Sequence, residues 1–244
     1  HNSYYATLEN TNHNYTIIQG DLGTKLFLQN LMNQTSVCFD TETTGIDTLH
    51  AELVGMSFSW TKGEAFYIPF PENREEAQIL ADKFKPFFES ETIEKIGQNI
   101  KYDLLVLKWY GIELKGQLFD TMLAHYLIEP EGKHGMDWLA QQYLNYRPVS
   151  ITELIGKKGK GQGNMRDVDE DEVTAYAAED ADITLRLKGK LDPIIQSNGL
   201  KKLFDEVENP LIRVLTDMEF EGVRIDTGSL ADLSIALEEE SKEI

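Results

Sequence analysis

Apolar positions recur along this chain with two different periods, and each switch marks an element. Asn14-Tyr15-Thr16-Ile17-Ile18 reads as a short strand. Leu22, Leu26 and Leu31 then fall on one helical face behind Asp21, which is placed to cap that helix. Val37-Cys38-Phe39 is a continuous apolar run, a buried strand that ends in Asp40-Thr41-Glu42-Thr43-Thr44-Gly45. Residues 53–60 alternate apolar and small, 61–64 form a turn and 65–68 return, predicting an antiparallel hairpin beside that core strand. A helix over 74–88 and a buried strand over 93–97 follow. Asn99 is predicted to cap a helix that runs to Tyr110 and stops at Gly111. Gln117-Leu118-Phe119 is a brief strand, Asp120 caps a helix over 121–128, and 136–144 is a short helix. Strands alternating with helices around a hairpin indicate an α/β layer fold.

From Gly156 the character changes. Residues 156–163 form a Gly-rich loop with three lysines, and a helix with an acidic start runs from Asp169 to about 195. Asn198-Gly199 breaks it, an amphipathic helix covers 203–220, and 223–226 are extended before a last helix that reaches Ile244.

The 244 residues, 41% hydrophobic and 27% charged, have ordinary globular composition, and no apolar run approaches a membrane span. His1 is not a natural start, which points to an excised piece, and no signal peptide follows it. The single cysteine, Cys38, excludes an intrachain disulfide and reads as core. A net charge of −19 argues against non-specific affinity for nucleic acid.

The candidate chemistry lies in acids that interrupt apolar faces. Asp40 and Glu42 are two apart at a strand end and so project to the same side. Two carboxylates that close repel unless a proton or cation lies between them, and here a divalent cation is the better explanation. Asp103 shares a helix face with Val106, Leu107 and Tyr110; Asp180 shares one with Tyr176, Ile183 and Leu187. Glu179 and Asp182 point elsewhere, and Asp182 can pair with Arg186. Each acid also has a plainer reading: a first-turn acid for Asp103, a buried paired acid for Asp180, a turn acid and a surface acid for Asp40 and Glu42.

Together, three segments resemble a known family. Phe39-Asp40-Thr41-Glu42-Thr43, Gly97-Gln98-Asn99-Ile100-Lys101-Tyr102-Asp103 and Tyr176-Ala177-Ala178-Glu179-Asp180-Ala181-Asp182 resemble the three motifs of the 3′→5′ proofreading exonucleases. Their wording and spacing, with Phe119-Asp120-Thr121-Met122-Leu123 and the Gly-Lys loop, are similar to the exonuclease domain of bacterial DNA polymerase I, a family A polymerase. The resemblance implies a ribonuclease H-like α/β fold, a mixed central sheet flanked by helices. It implies an exonuclease domain over 1–196, then a connecting helix and the truncated start of a polymerase domain over 197–244.

The resemblance further implies two divalent ions, Mg or Mn with Zn possible in vitro, held by Asp40, Glu42, Asp103 and Asp180. Tyr176 and Glu42 would orient the attacking water. Thr43, Ile46 and Asn99 would contact the terminal nucleotide or position the helix beside it. Lys157, Lys158, Lys160 and Arg166 are the one dense basic group and are candidate single-strand contacts, or else a solvated loop. The implied partners are the single-stranded 3′ end of DNA and the polymerase domain of the same full-length chain, in the bacterial cytoplasm near the nucleoid, with no membrane. Two competing readings remain, an RNA 3′-end trimming nuclease of the same superfamily and a non-catalytic DNA-guiding module.

Overall fold

Six strands, β1 (Asn14–Ile17), β2 (Ser36–Thr43), β3 (Leu53–Thr61), β4 (Glu64–Pro69), β5 (Glu94–Gly97) and β6 (Leu118–Asp120), form one sheet in the order β1-β4-β3-β2-β5-β6. This is a computed structural model, and it describes residues 5–157, 159 and 161–243. β3 runs antiparallel to β2 and β4, while the β1–β4, β2–β5 and β5–β6 pairs are parallel, so the sheet is mixed.

Strand β2 is buried on both faces, which explains its unbroken apolar run. Val37 and Phe39 enter a core with α1 (Gly20–Leu31), α2 (Arg74–Phe88) and α3 (Ile100–Lys108). Cys38, on the other face, joins a core with α4 (Thr121–Ile128), α5 (Met136–Leu139) and the long α7 (Glu170–Ser197). The alternation then carries Asp40 and Glu42 onto the α7 side. Between α5 and α7 lie a π-helical turn, Ala140–Leu144, and the single turn of α6 (Ile151–Leu154).

Local chemistry accounts for the helices that frame the site. Asn73 caps α2 by accepting from the Glu75 and Glu76 amides, and Ala77, Ala81, Phe84 and Phe88 make its buried face. Asp169 caps α7 through the Asp171 amide, and Gly199, at φ 71°, follows its end. Helix α7 lies across five strands, β1 to β5.

Two predicted caps are corrected. Gln19 precedes α1, and Asp21 lies in its first turn, where it pairs with Lys83. Asn99 precedes α3 in the left-handed region at φ 60°, and its side chain accepts no capping bond. Asp120 does that work instead: its carboxylate accepts from the Asn99 and Ile100 amides, and from those of Met122 and Leu123 at the start of α4.

After residue 197 the chain continues through α8 (Lys201–Leu203), a π-helical turn (Phe204–Glu208) and α9 (Asn209–Glu221). This stretch packs on α3 and β6: Phe204 lies edge-on to Phe119, Asn209 donates to the Leu118 carbonyl, and Lys101 and Lys108 pair with Glu219 and Asp217. The last helix, α10 (Thr227–Glu243), is exposed throughout its described side chains. Among the described residues, no helix is long and apolar enough to cross a membrane.

Candidate functional site

Three carboxylates from two elements converge at the end of β2. Asp40 and Glu42 on the strand and Asp180 on α7 each offer an oxygen within 4.8 Å of the others. Asp103 comes alongside from the first turn of α3 and is 2% exposed. Its Oδ1 accepts from the Thr41 amide at 3.1 Å and the Thr41 hydroxyl at 2.6 Å, which fixes it against the strand between the two other acids.

A register shift helps to present these groups. Glu42 lies opposite Gly55 on β3, but Thr43 lies opposite Leu53, so the ladder slips at the acid-bearing end of the strand. Such irregularities re-aim side chains beside active sites. Gly55 is required there by a close approach: a Cβ on it would lie 2.2 Å from the Tyr67 hydroxyl oxygen. Tyr67 in turn donates to the Val54 carbonyl and lies near Glu42, whose charge adds to burial in raising its pKa.

The acids are held where ionisation is costly. Burial pushes Asp40 up to about 7. Glu42, Asp103 and Asp180 are raised well above the ordinary carboxylate range, first by burial and then by the charge of Asp40. Glu42 Oε1 and Asp180 Oδ1 are buried and have no hydrogen-bond partner. Unsatisfied buried carboxylate oxygens are expensive, and an all-oxygen, multiply anionic donor set suits a hard cation such as Mg²⁺ or Mn²⁺. The residues therefore fit the ions expected here.

Tyr176 lies one turn before Asp180 on α7, close enough for the two groups to act on each other electrostatically. Burial, then the Asp180, Glu42 and Asp40 charges, push its pKa up, so the phenol keeps its proton. The neighbouring acids of the same segment do other work. Glu179 accepts from the Tyr146 hydroxyl and the Val149 amide. Asp182 accepts from the Tyr15 hydroxyl and the Gly63 amide and pairs with Arg186, as its spacing predicts.

Thr43 and Ile46 lie at the rim. The Thr43 hydroxyl meets the Tyr102 hydroxyl and the Gly45 carbonyl, and Tyr102 also bonds that carbonyl at 2.6 Å. Ile46, 77% exposed, and Leu49 stand on the loop thus tied down. Asn99 is exposed at the start of α3. Lys157 is exposed, whereas Lys158 and Lys160 lie outside the described residues. The Arg166 guanidinium is turned inward onto the Leu53 and Phe70 carbonyls. Sequence reasoning missed Thr41, Tyr102 and the double role of Asp120. All three stand in segments that carry the resemblance, but position in a motif does not show that Thr41 holds Asp103 or that Asp120 reaches back to α3.

Comparison with known proteins places these features in a family. The 3′-5′ exonuclease model of family A DNA polymerases matches residues 15–196. DNA polymerase I of Rhizobium leguminosarum is 38% identical over 222 residues, which cover 81% of this chain and 22% of that one. The chain thus spans about a fifth of the length of this curated relative. Among solved structures, the POL domain of Pol1 from M. smegmatis, in complex with DNA primer-template and dNTP, superposes with a TM-score of 0.74 at 19% identity, over 93% of this chain and 36% of that one. Brucella melitensis NrnC with bound Mg2+ gives 0.65 at 20% identity, over 89% and 98%. At such identities the two structures establish the shared fold, which is ribonuclease H-like.

Proposed function

The chain belongs to the 3′-5′ exonuclease family of DNA polymerase I, and from that premise we propose that the pocket between β2, α3 and α7 hydrolyses the 3′-terminal phosphodiester of DNA with two divalent cations. The observation that carries this reading is the convergence of Asp40, Glu42 and Asp180 within 4.8 Å, with Asp103 beside them. Nothing about this constellation serves stability, since four acids this close, three of them on buried residues, destabilise a fold.

In this reading Asp40, Glu42, Asp103 and Asp180 hold the cations, Mg²⁺ or Mn²⁺. When bound, the ions supply charge stabilisation at the attacking and leaving oxygens and make water a better nucleophile at neutral pH. Tyr176, kept protonated, and Glu42 orient the attacking water. Thr41 keeps Asp103 in place. Thr43, Ile46 and Asn99 contact the terminal nucleotide at the rim, and Lys157, with Lys158 and Lys160, meets the single strand that leads to it. The product is a nucleoside 5′-monophosphate. In the full-length chain the domain would work beside a polymerase domain that extends past α9 and α10, and the cell compartment would be the bacterial cytoplasm at the nucleoid.

The test is release of mononucleotides from a 3′-labelled single strand in Mn²⁺. Release is expected from wild type and lost in Asp40→Ala. Release from RNA but not DNA would replace this reading with an RNA-trimming one. Metal binding without release from either would support a non-catalytic DNA-guiding module.

A further inference from the structure

Arg166 has the composition signature of a DNA contact and the geometry of something else. It is half-buried, in the short 3₁₀ turn Met165–Asp167 that leads into α7. Its Nη2 donates to the Leu53 carbonyl at 2.8 Å and its Nη1 to the Phe70 carbonyl at 3.3 Å. Leu53 is the residue paired with Thr43 just past the register shift that follows Glu42, and Phe70 closes the β4 side of the same hairpin by donating its amide to Val54. The Leu53 amide is itself taken by the Tyr110 hydroxyl. Both carbonyls belong to buried residues, so without the guanidinium they would be left unpaired away from water.

The other end of the link is equally fixed. Asn164 caps the turn through the Arg166 amide, and Met165 is buried against Val54, Tyr67, Val173 and Ala177. Three residues after Arg166, Asp169 begins α7, the helix that carries Tyr176 and Asp180. One guanidinium fork therefore joins the strand pair behind Glu42 to the base of the helix bearing Asp180. A planar fork can satisfy two carbonyls at once, and an ammonium on a flexible stem is a poor substitute.

We propose that Arg166 is a positioning residue that holds the β3–β4 wall behind Glu42 in register with α7, and that it does not bind a DNA phosphate. The proposal rests on the metal-dependent reading of the pocket. It assigns a role to a basic residue outside the acidic motifs, and it separates Arg166 from the lysines of the loop before it.

Arg166→Met and Arg166→Lys in the 244-residue protein test this with three measurements. They are Mn²⁺ affinity by electron paramagnetic resonance, oligothymidylate affinity in EDTA as a function of KCl, and hydrogen exchange of the peptide spanning 53–55. Arg166→Met is expected to weaken Mn²⁺ binding by about tenfold, the scale on which outer-shell supports act, and to speed exchange at 53–55. Arg166→Lys should show the same changes to a smaller degree. The salt slope of DNA binding should equal that of wild type in both. A phosphate contact predicts the reverse, a slope smaller by about 0.7 in Arg166→Met with Mn²⁺ affinity and exchange intact, and that result overturns the proposal. So does the absence of any change. If Arg166→Met does not fold, Arg166→Lys decides, since it keeps the charge and loses the fork. If wild type binds Mn²⁺ yet cleaves nothing, the nuclease reading fails, while the Mn²⁺ and exchange measurements still decide the role of Arg166.

Discussion

Removing one charge from the acidic pocket is predicted to stabilise the protein in the absence of divalent cations. In Asp180→Asn the side chain keeps its shape and loses its charge. The carboxylates of Asp40, Glu42 and Asp180 lie within 4.8 Å of one another. At that separation two like charges repel by about 3 kcal/mol at an effective dielectric of ~20. Proton uptake already relieves part of this, because burial holds Asp40 up at about 7 and raises Glu42 and Asp180 well above the ordinary carboxylate range. A net gain of about 2 kcal/mol at pH 8 is therefore expected. Raised carboxyl pKa values mean that the folded protein binds more protons than the unfolded chain above about pH 4. The wild-type contribution is thus fully present below that pH and lost as pH rises through the raised folded-state values, about 7 for Asp40. Urea unfolding in EDTA, followed by circular dichroism, reads the effect. With a slope of about 3 kcal/mol/M the midpoint moves up by about 0.7 M at pH 8. The difference should shrink towards pH 5, and saturating Mn²⁺ should reverse the order, since wild type binds the ion more tightly. A variant no more stable than wild type at pH 8 in EDTA, or one whose advantage is unchanged at pH 5, would refute the electrostatic reasoning.

Asp120→Ala removes one carboxylate from four backbone amides at the starts of two helices. At about 1–2 kcal/mol for each lost cap, unfolding stability should fall by about 2–4 kcal/mol. A loss under about 1 kcal/mol would show that water or Asn99 replaces it. Gly55→Ala places a methyl group 2.2 Å from the Tyr67 hydroxyl oxygen and 2.3 Å from two ring carbons, and should cost about 1–3 kcal/mol by overpacking. Combined with Tyr67→Ala, the double variant should be more stable than the sum of the single losses implies; additive losses would argue against the clash.

Much of this architecture was readable from local pattern because local rules and tertiary demand agree. The apolar run Val37–Phe39 had to be a buried strand, and period two then carried Asp40 and Glu42 to one face. Helix α2 spans the predicted 74–88, since Asn73, the apolar face and the aromatic end all point to the same bounds. Legibility failed where a side chain serves a distant element. Asn99 looked like the cap of α3, yet it occupies a left-handed position and Asp120, twenty-one residues later, accepts the amides. Arg166 looked like an exposed cation because spacing cannot show that two carbonyls 96 and 113 residues earlier lie within its reach. The acids of the third motif shared the problem in milder form: helical period separates Asp180 from Glu179 and Asp182, but not the partners that each one finds.

The order of the elements along the chain has a consequence for biosynthesis. Asp40 leaves the ribosome on β2 about 140 residues ahead of Asp180 on α7. At roughly 5–20 residues per second, the nascent polypeptide spends on the order of ten seconds with first two and then, once α3 is made, three of the four acids in place and no α7 to bring the last. The acidic pocket is thus closed last, by long-range packing, and a prematurely terminated product that ends before α7 would carry three of its acids but neither Asp180 nor Tyr176.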